Sequence, residues 1–356
     1  MEYKLALIGF GNVGQGLAEI LAQRTAVIAD KFQTTIKIVA ICDFHKGSIA
    51  DPDGFDPGAL LTHLSKHGDL GKFPAAHHGW DAKKTINDSG ANVLVELAYT
   101  DLKTGEPALT HMAQALKMGM HVSTTNKGPV ALHFPKLLKL SETYGGQIGV
   151  EGTVMSGTPT LALAMKMLTA AGITRIQGIL NGTTNFILGE MERGASYTDA
   201  LQTAQEKGYA EADPSGDVEG HDAAAKVVIL ANLLMDQPMT LSDVDCTGIV
   251  ELTIEDIKVA RNNDQHWKLL ATIESTEDGR FLGKVQPTKL NATHPLANIG
   301  GASNAISYTT DLLGDVTLIG PGAGRIETGY AVIADILAFS DQETSNYEIA
   351  LSPADQ

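Results

Sequence analysis

Through the first third of the chain, short apolar runs alternate with longer stretches of helical periodicity. Lys4-Leu5-Ala6-Leu7-Ile8-Gly9 reads as a first strand, and a long helix is expected from about Asn12 to Phe32. Ile36 to Cys42 reads as a second strand. Asn92 to Leu97 and His121 to Thr124 read as two more, with a helix from about Glu106 to Lys117 between them. Strands separated by helical patterns mark a parallel α/β sheet with crossover helices. Strand-like alternation returns between Gly145 and Gly152, and a mixed region of strands and helices runs on to about Leu318. Gly324 to Phe339 reads as a last helix, which follows a Gly-rich turn and is placed to pack back on the first domain.

One stretch breaks the alternation. Asp51 to Gly79 is rich in Gly, Pro, His and Asp. Within it Asp56-Pro57 reads as an N-cap with proline at the first position of a short helix, and the rest is expected to be an excursion loop. His77-His78 is not expected to hold a metal, because adjacent side chains point apart on any regular element. Cys42 and Cys246 are the only cysteines. Two thiols make neither a disulfide framework nor a metal cluster, and both are expected to be small buried hydrophobes.

Composition narrows the class. The chain has 356 residues, 43% of them hydrophobic, enough for two domains with cores of their own. No apolar run reaches the roughly 18 residues that a membrane span needs. Met-Glu-Tyr-Lys runs straight into the first strand and does not form a basic leader. A cytoplasmic protein without a membrane partner is the expectation. The formal net charge of −16 repels nucleic acid and says nothing of the chemistry.

The chemistry begins at Gly9-Phe10-Gly11-Asn12-Val13-Gly14. A GxGxxG is weak by itself, but here it leaves a strand and opens a helix, the context it needs. Gly9 permits the tight turn, Gly11 lets the backbone approach a pyrophosphate, and Gly14 allows close helix–strand packing. The helix start offers its N–H groups to the phosphates. Asp43, at the end of the second strand, is placed to accept hydrogen bonds from the adenosine ribose and to repel a 2′-phosphate, which favours NAD over NADP. His45 and Lys46 follow on what reads as a mobile loop and offer the opposite preference. Asp43 also reads as an ordinary loop carboxylate.

Three further segments carry candidate chemistry. Asp222 and Lys226 stand at i and i+4, on one face of a helix that continues as Val-Val-Ile-Leu-Ala. If buried, Lys226 is a credible acid, since desolvation eases release of its proton while Asp222 keeps it charged. A surface ion pair is the plain alternative. Lys127, in Thr124-Thr125-Asn126-Lys127-Gly128-Pro129, follows a strand whose carboxyl end faces the ligand crevice of an open sheet; otherwise it is a loop lysine. Asn181-Gly182-Thr183-Thr184-Asn185-Phe186 joins a strand, Ile173 to Leu180, to a helix, with small donors and open amides suited to a carboxylate. Its plain alternative is a turn with a cap.

Together these motifs resemble the homoserine dehydrogenase family. Its pattern is filled at every fixed position by Ala204, Gly208, Tyr209, Ala210, Asp213, Pro214, Asp217, Val218, Gly220, Asp222 and Lys226. The Asn181 block, the N-terminal Gly-rich loop, Asn126-Lys127 and the Gly320-Pro321-Gly322-Ala323-Gly324 turn are similar in order and spacing. The resemblance spans essentially the whole chain. It implies an N-terminal Rossmann domain over 1–145, completed by a C-terminal helix in 320–356. An α+β catalytic and dimerisation domain is implied over 146–319. The implied reaction interconverts aspartate semialdehyde and homoserine, in threonine, methionine and isoleucine biosynthesis. Lys226 and Lys127 correspond to the two family lysines at the reacting carbonyl, with Asp222 as the second acidic residue of the site. Glu211 is implied to bind the substrate amino group, and Gly182, Thr183, Tyr209 and Asp217 to touch substrate. Gly9, Phe10, Gly11, Asn12, Val13, Gly14 and Asp43 make up the implied dinucleotide site, with Thr100, Ser123, Lys127 and Gly324 at its nicotinamide half. A sodium-type ion is implied at Glu151, Val154, Ser156 and Thr158, although Ser156-Gly157-Thr158-Pro159 by itself reads as a helix start capped by Thr158. A homodimer is implied, in the short monofunctional form without a C-terminal regulatory domain. Another Rossmann reductase, or a silent NAD sensor, would have no reason to reproduce the 204–226 pattern.

Overall fold

The computed structural model describes residues 1–235, 238–276 and 279–339. Along the chain the elements begin with β1 (Glu2–Ile8), α1 (Asn12–Phe32), β2 (Thr35–Asp43), β3 (Gly47–Ala50), α2 (Pro57–His67), β4 (His77–His78) and α3 (Ala82–Asp88). There follow β5 (Val93–Glu96), α4 (Ala108–Lys117), β6 (His121–Thr124), α5 (Lys127–Tyr144), β7 (Ile148–Gly149), α6 (Thr160–Leu163), β8 (Ile173–Ile179) and α7 (Gly182–Glu192). The chain continues through α8 (Tyr197–Glu206), α9 (Ser215–Val218), α10 (His221–Leu234), β9 (Val244–Cys246) and α11 (Ile254–Asn262). It ends with β10 (Gln265–Ser275), β11 (Phe281–Asn291), β12 (Ser303–Thr310), β13 (Gly314–Pro321) and α12 (Arg325–Ala338). Residues 340–356, part of the expected C-terminal helix segment, lie outside the described residues.

Two compact units result: Met1–Gly157 with the segment from Ala323, and Thr158–Gly322. The first runs past 145 because β7 pairs in parallel with β6, and the turn Glu151–Thr153 packs on α12. Its sheet has the order β4-β3-β2-β1-β5-β6-β7. β2, β1, β5, β6 and β7 are parallel. The chain winds outward from β1 in both directions, so the switch point lies between β1 and β5, where a ligand crevice opens at the carboxyl ends. The core beneath includes Leu5, Leu7, Leu17 and Leu21 together with Val332 and Ile336 of α12.

Four local readings change. The 51–79 stretch carries the helix that Asp56-Pro57 predicts, α2, eleven residues long behind its Asp56 cap, but the rest is not all loop, because β4 extends the sheet edge by pairing with β3. His45 and Lys46 lie in the tight turn of the β2–β3 hairpin, not on a mobile loop, with Asp43 Oδ1 accepting from both their amides. Thr158 caps no helix: its hydroxyl donates to Pro321 O at 3.1 Å, and α6 starts behind Pro159 without a side-chain cap. Cys42 and Cys246 are free and half-buried, against the expectation of burial.

Within the first unit, α12 carries a buried carboxylate, Asp335, which accepts from Ser123 Oγ at 2.7 Å and from Glu151 N at 3.2 Å. Burial pushes its carboxyl up to about 8; the Ser123 and Glu151 hydrogen bonds oppose the shift and the Glu151 charge adds to it. The folded chain therefore keeps a proton that the unfolded chain releases near the ordinary carboxylate value. Stability from this group is complete at acid pH and declines as pH rises through about 8. Asp335→Asn holds the same shape without a charge. Its melting temperature is expected to gain on the wild type's steadily from about pH 5 to about pH 8. A constant difference over that range would show that Asp335 holds no such proton.

The second unit is built on a sheet of order β13-β12-β8-β10-β11-β9. All its pairs are antiparallel except β9 with β11. Against β11 and β10 lies α10, buried from Ala223 to Ala231, as its continuous apolar run requires.

Candidate active site

In the first unit the Gly-rich loop leaves β1 beside the end of β5. Gly9 has φ +99, and a Cβ there would stand 2.6 Å from Leu97 O, so only glycine fits. A Cβ on Gly14 would meet Gly9 O at 3.0 Å. Gly11 differs: a Cβ there would meet nothing within 4 Å. Its bare backbone is not demanded by the chain's own packing, and it suits close approach by a ligand. The loop then opens α1, 21 residues long with no side-chain cap, which leaves its first amides available to phosphate.

Asp43 has a destination that local reading could not show. Its Oδ2 accepts from Phe10 N at 2.7 Å, and its Oδ1 from the amides of His45 and Lys46. Burial pulls its pKa upward, but those backbone donors outweigh burial and hold the carboxyl below the usual range. Asp43 thus ties the Gly-rich loop to the end of β2. A carboxylate has acceptor capacity beyond three bonds, so a ribose contact is compatible with this role. Lys46 lines a cleft of about 590 Å³ with Gln15, Glu19, Ser65 and Arg325.

At the ends of β5 and β6, Asn126 caps α5 by accepting from Gly128 N, and its Nδ2 donates to the carbonyls of Ala98 and Tyr99. This braces the loop that leads into exposed Thr100. Lys127 is the first residue of α5 and half-buried, rather than a loop lysine. Ser123 is buried with its hydroxyl turned to Asp335, and Gly324 is the exposed N-cap of α12. Glu151, Val154 and Ser156 sit in the turn that follows β7, where Met155 and Ser156 both have φ near +57. Thr158 begins the second unit.

In the second unit the Asp222–Lys226 pair is not at the surface. Lys226 is 6% exposed on α10. Its Nζ donates to Asp222 Oδ2 at 2.7 Å and to Leu180 O, at the end of β8, at 2.6 Å. Asn181 joins the acids: its Nδ2 donates to Asp217 Oδ1 at 2.7 Å and to Asp222 Oδ2 at 3.0 Å, while its Oδ1 caps α7 through Thr184 N. Burial raises the Asp217 carboxyl; the Asn181 hydrogen bond opposes this, and the charge of Asp222 adds to it. Thr183 Oγ1 donates to Tyr209 O at 2.7 Å. Tyr209 is exposed, its ring edge-on to Phe186, and Glu211 is exposed beside it. Lys226, Asp222 and Asp217 thus meet at Asn181, and Thr183 joins Asp217 to the Tyr209 carbonyl, with Gly182 between Asn181 and Thr183 in the chain. Sequence reasoning missed Asn181 as the node and Leu180 O as an acceptor. Only the Asn at a helix-cap position hinted at the first, and a carbonyl leaves no trace in residue type. Such a network can hold a cationic proton donor beside an oxygen that changes charge.

Residues 159–337 match the family Homoserine dehydrogenase, and residues 9–151 match Homoserine dehydrogenase, NAD binding domain. The chain is 43% identical over 350 residues to an NAD(+)-dependent homoserine dehydrogenase from Pseudomonas canavaninivorans, covering 98% of this chain and 99% of that one. It is 36% identical to a homoserine dehydrogenase from Methanocaldococcus jannaschii, covering 94% and 97%. Among solved structures, a hyperthermophilic archaeal homoserine dehydrogenase in complex with NADPH is similar with a TM-score of 0.84 and 29% identity, covering 98% of this chain and 100% of that one.

Proposed function

The chain belongs to the homoserine dehydrogenase family, and on that premise we propose that it interconverts L-aspartate 4-semialdehyde and L-homoserine with a nicotinamide dinucleotide, NAD in preference to NADP. The observation that carries this reading is the buried Lys226–Asp222 pair, tied through Asn181 to Asp217. The bound dinucleotide supplies or takes the hydride. In the reducing direction Lys226 gives a proton to the aldehyde oxygen as it becomes a hydroxyl, and in the oxidising direction it receives that proton. Asp222 Oδ2 and Leu180 O accept from its ammonium and fix its direction. Lys127 is assigned as the second lysine of the reaction. Glu211 pairs with the substrate ammonium, with Gly182, Thr183, Tyr209 and Asp217 as further substrate contacts. The Gly-rich loop, Asp43, Thr100, Ser123, Lys127 and Gly324 hold the dinucleotide; the open backbone at Gly11 supports this.

A sodium-type ion belongs to the same proposal, at the Glu151 carboxylate and the carbonyls of Val154, Ser156 and Thr158, oxygen donors of the kind such an ion takes. Glu151 is buried, and its charge is felt by the buried Asp335, a pairing that a cation would relieve. We place the enzyme in the cytoplasm as a homodimer, in threonine, methionine and isoleucine biosynthesis. Its partner is then a small molecule, not nucleic acid or membrane. Among the described residues no helix is long and apolar enough to cross a membrane.

The test is direct: follow NAD(P)H absorbance with L-homoserine and each cofactor. Homoserine-dependent reduction is expected, faster with NAD, and no reduction with either cofactor would refute the reading. Asp43→Ser probes the preference. It removes the charge that opposes a 2′-phosphate and also slackens the Phe10 tether, so kcat/KM should fall for both cofactors, and more for NAD. A wild type that already favours NADP strongly would assign the phosphate to a cation such as Lys46.

A further inference from the structure

Asn304 stands near the start of β12, fully buried at 0% exposure, and among the described residues neither its Nδ2 nor its Oδ1 has a hydrogen-bond partner. Buried amides are almost always paired, and an orphan calls for an explanation. Loose surroundings do not supply one. Immediately before it the chain is held by two buried side chains: Asn185 Nδ2 donates to the carbonyls of Ile299, Gly301 and Ser303, and Lys268 Nζ to Ile299 O. The amide is also given room that other residues would deny it. A Cβ on Gly322 would stand 2.1 to 2.3 Å from its Cγ, Nδ2 and Oδ1, and a Cβ on Gly182 would stand 3.3 Å from its Oδ1. Gly182 is the first residue of α7, an eleven-residue helix. Helix geometry leaves the N–H groups of Gly182 and Thr183 without intrahelical acceptors, and the helix start favours an anion.

We propose that Asn304 is a further substrate-binding residue, whose Nδ2 joins the amides of Gly182 and Thr183 in seating the α-carboxylate of the amino-acid substrate. The proposal rests on the homoserine reading above. Because neither end of the amide is engaged among the described residues, turning it to present Nδ2 breaks none of their bonds. A seat with several donors is required here, since Asp217 and Asp222 accept hydrogen bonds from Asn181, next to Gly182 in the chain, and repel an anion.

The experiment compares the wild type with Asn304→Leu, close in size and without polar atoms, using L-homoserine and 3-aminopropan-1-ol, which is homoserine without its carboxylate. The variant is expected to raise the homoserine KM roughly 10- to 100-fold, the usual effect of losing a hydrogen bond to a charged group. The NAD KM and turnover of 3-aminopropan-1-ol should stay as in the wild type. The free variant should melt no lower than the wild type, because an unpaired buried amide has been removed; a purely structural asparagine would show the reverse. Asn304→Ser answers the same question if the leucine variant does not fold. An unchanged homoserine KM, or an equal loss on both alcohols, overturns the proposal. A wild type that oxidises neither alcohol overturns the dehydrogenase reading instead. The seat is then read from melting temperatures. L-Homoserine must raise the wild type's above the value with 3-aminopropan-1-ol, and Asn304→Leu must abolish that difference; no difference in the wild type overturns the seat.

Discussion

Lys226→Ala is expected to lower kcat for homoserine oxidation by roughly 10²–10⁴, the usual contribution of a positioned acid–base group, while leaving NAD affinity nearly unchanged. The side chain sits within the second unit, and two of its three N–H donors are directed at Asp222 and Leu180 O. In the proposed reaction the remaining donor serves the substrate oxygen. Truncation therefore removes the proton carrier without touching the Gly-rich loop. Cofactor binding followed by fluorescence or calorimetry separates the two effects. Turnover within a few-fold of wild type would remove Lys226 from the chemistry, and a parallel collapse of NAD binding would point to a folding defect.

Asp222→Ala is expected to damage both stability and rate. It strips the charge partner from an ammonium that is 6% exposed. Removing one partner of a buried pair commonly costs about 3–5 kcal/mol, and the partial exposure of Asp222 places this case toward the lower end. It also takes an acceptor from Asn181, so the node that holds Asp217 loosens. Asp222→Asn separates the roles: an amide oxygen still accepts from Lys226 but offers no charge. Most of the melting temperature should return while the rate stays low, because the ammonium no longer faces a carboxylate charge. With the Asp222 charge gone, one influence that raises the Asp217 carboxyl also disappears, so any acid limb of the pH–rate profile that belongs to Asp217 should move to lower pH. An alanine variant that melts and turns over as the wild type does would show the pair to be incidental.

Much of this protein is written locally in its sequence. The helix Asn12–Phe32 has the limits its periodicity predicts, and β6 falls on His121–Thr124 as expected. The glycines of the first turn carry their spacing with them, and Asp222 and Lys226 meet because four residues on a helix make one turn. These features depend on neighbours a few residues apart, which is the range over which hydrophobic period and residue type carry information. What tertiary structure decided involves partners far apart in the chain. Asp43 turned out to hold Phe10 N, 33 residues away. Asn181 found Asp217 and Asp222, 36 and 41 residues on, and Ser123 reached Asp335 over 212. Whether the Asp222–Lys226 pair lay in solvent or in the interior could not be read from its spacing, since that depends on how α10 packs against β10 and β11. His45 and Lys46 looked mobile because a hairpin turn and a free loop share the same polar residues; the pairing of β2 with β3 made the difference. Asn304 stayed invisible for the same reason: nothing in the run Ser303-Asn304-Ala305 says which side chains will be sealed inside, and only the packing of Gly182 and Gly322 around the amide reveals that its partners are missing.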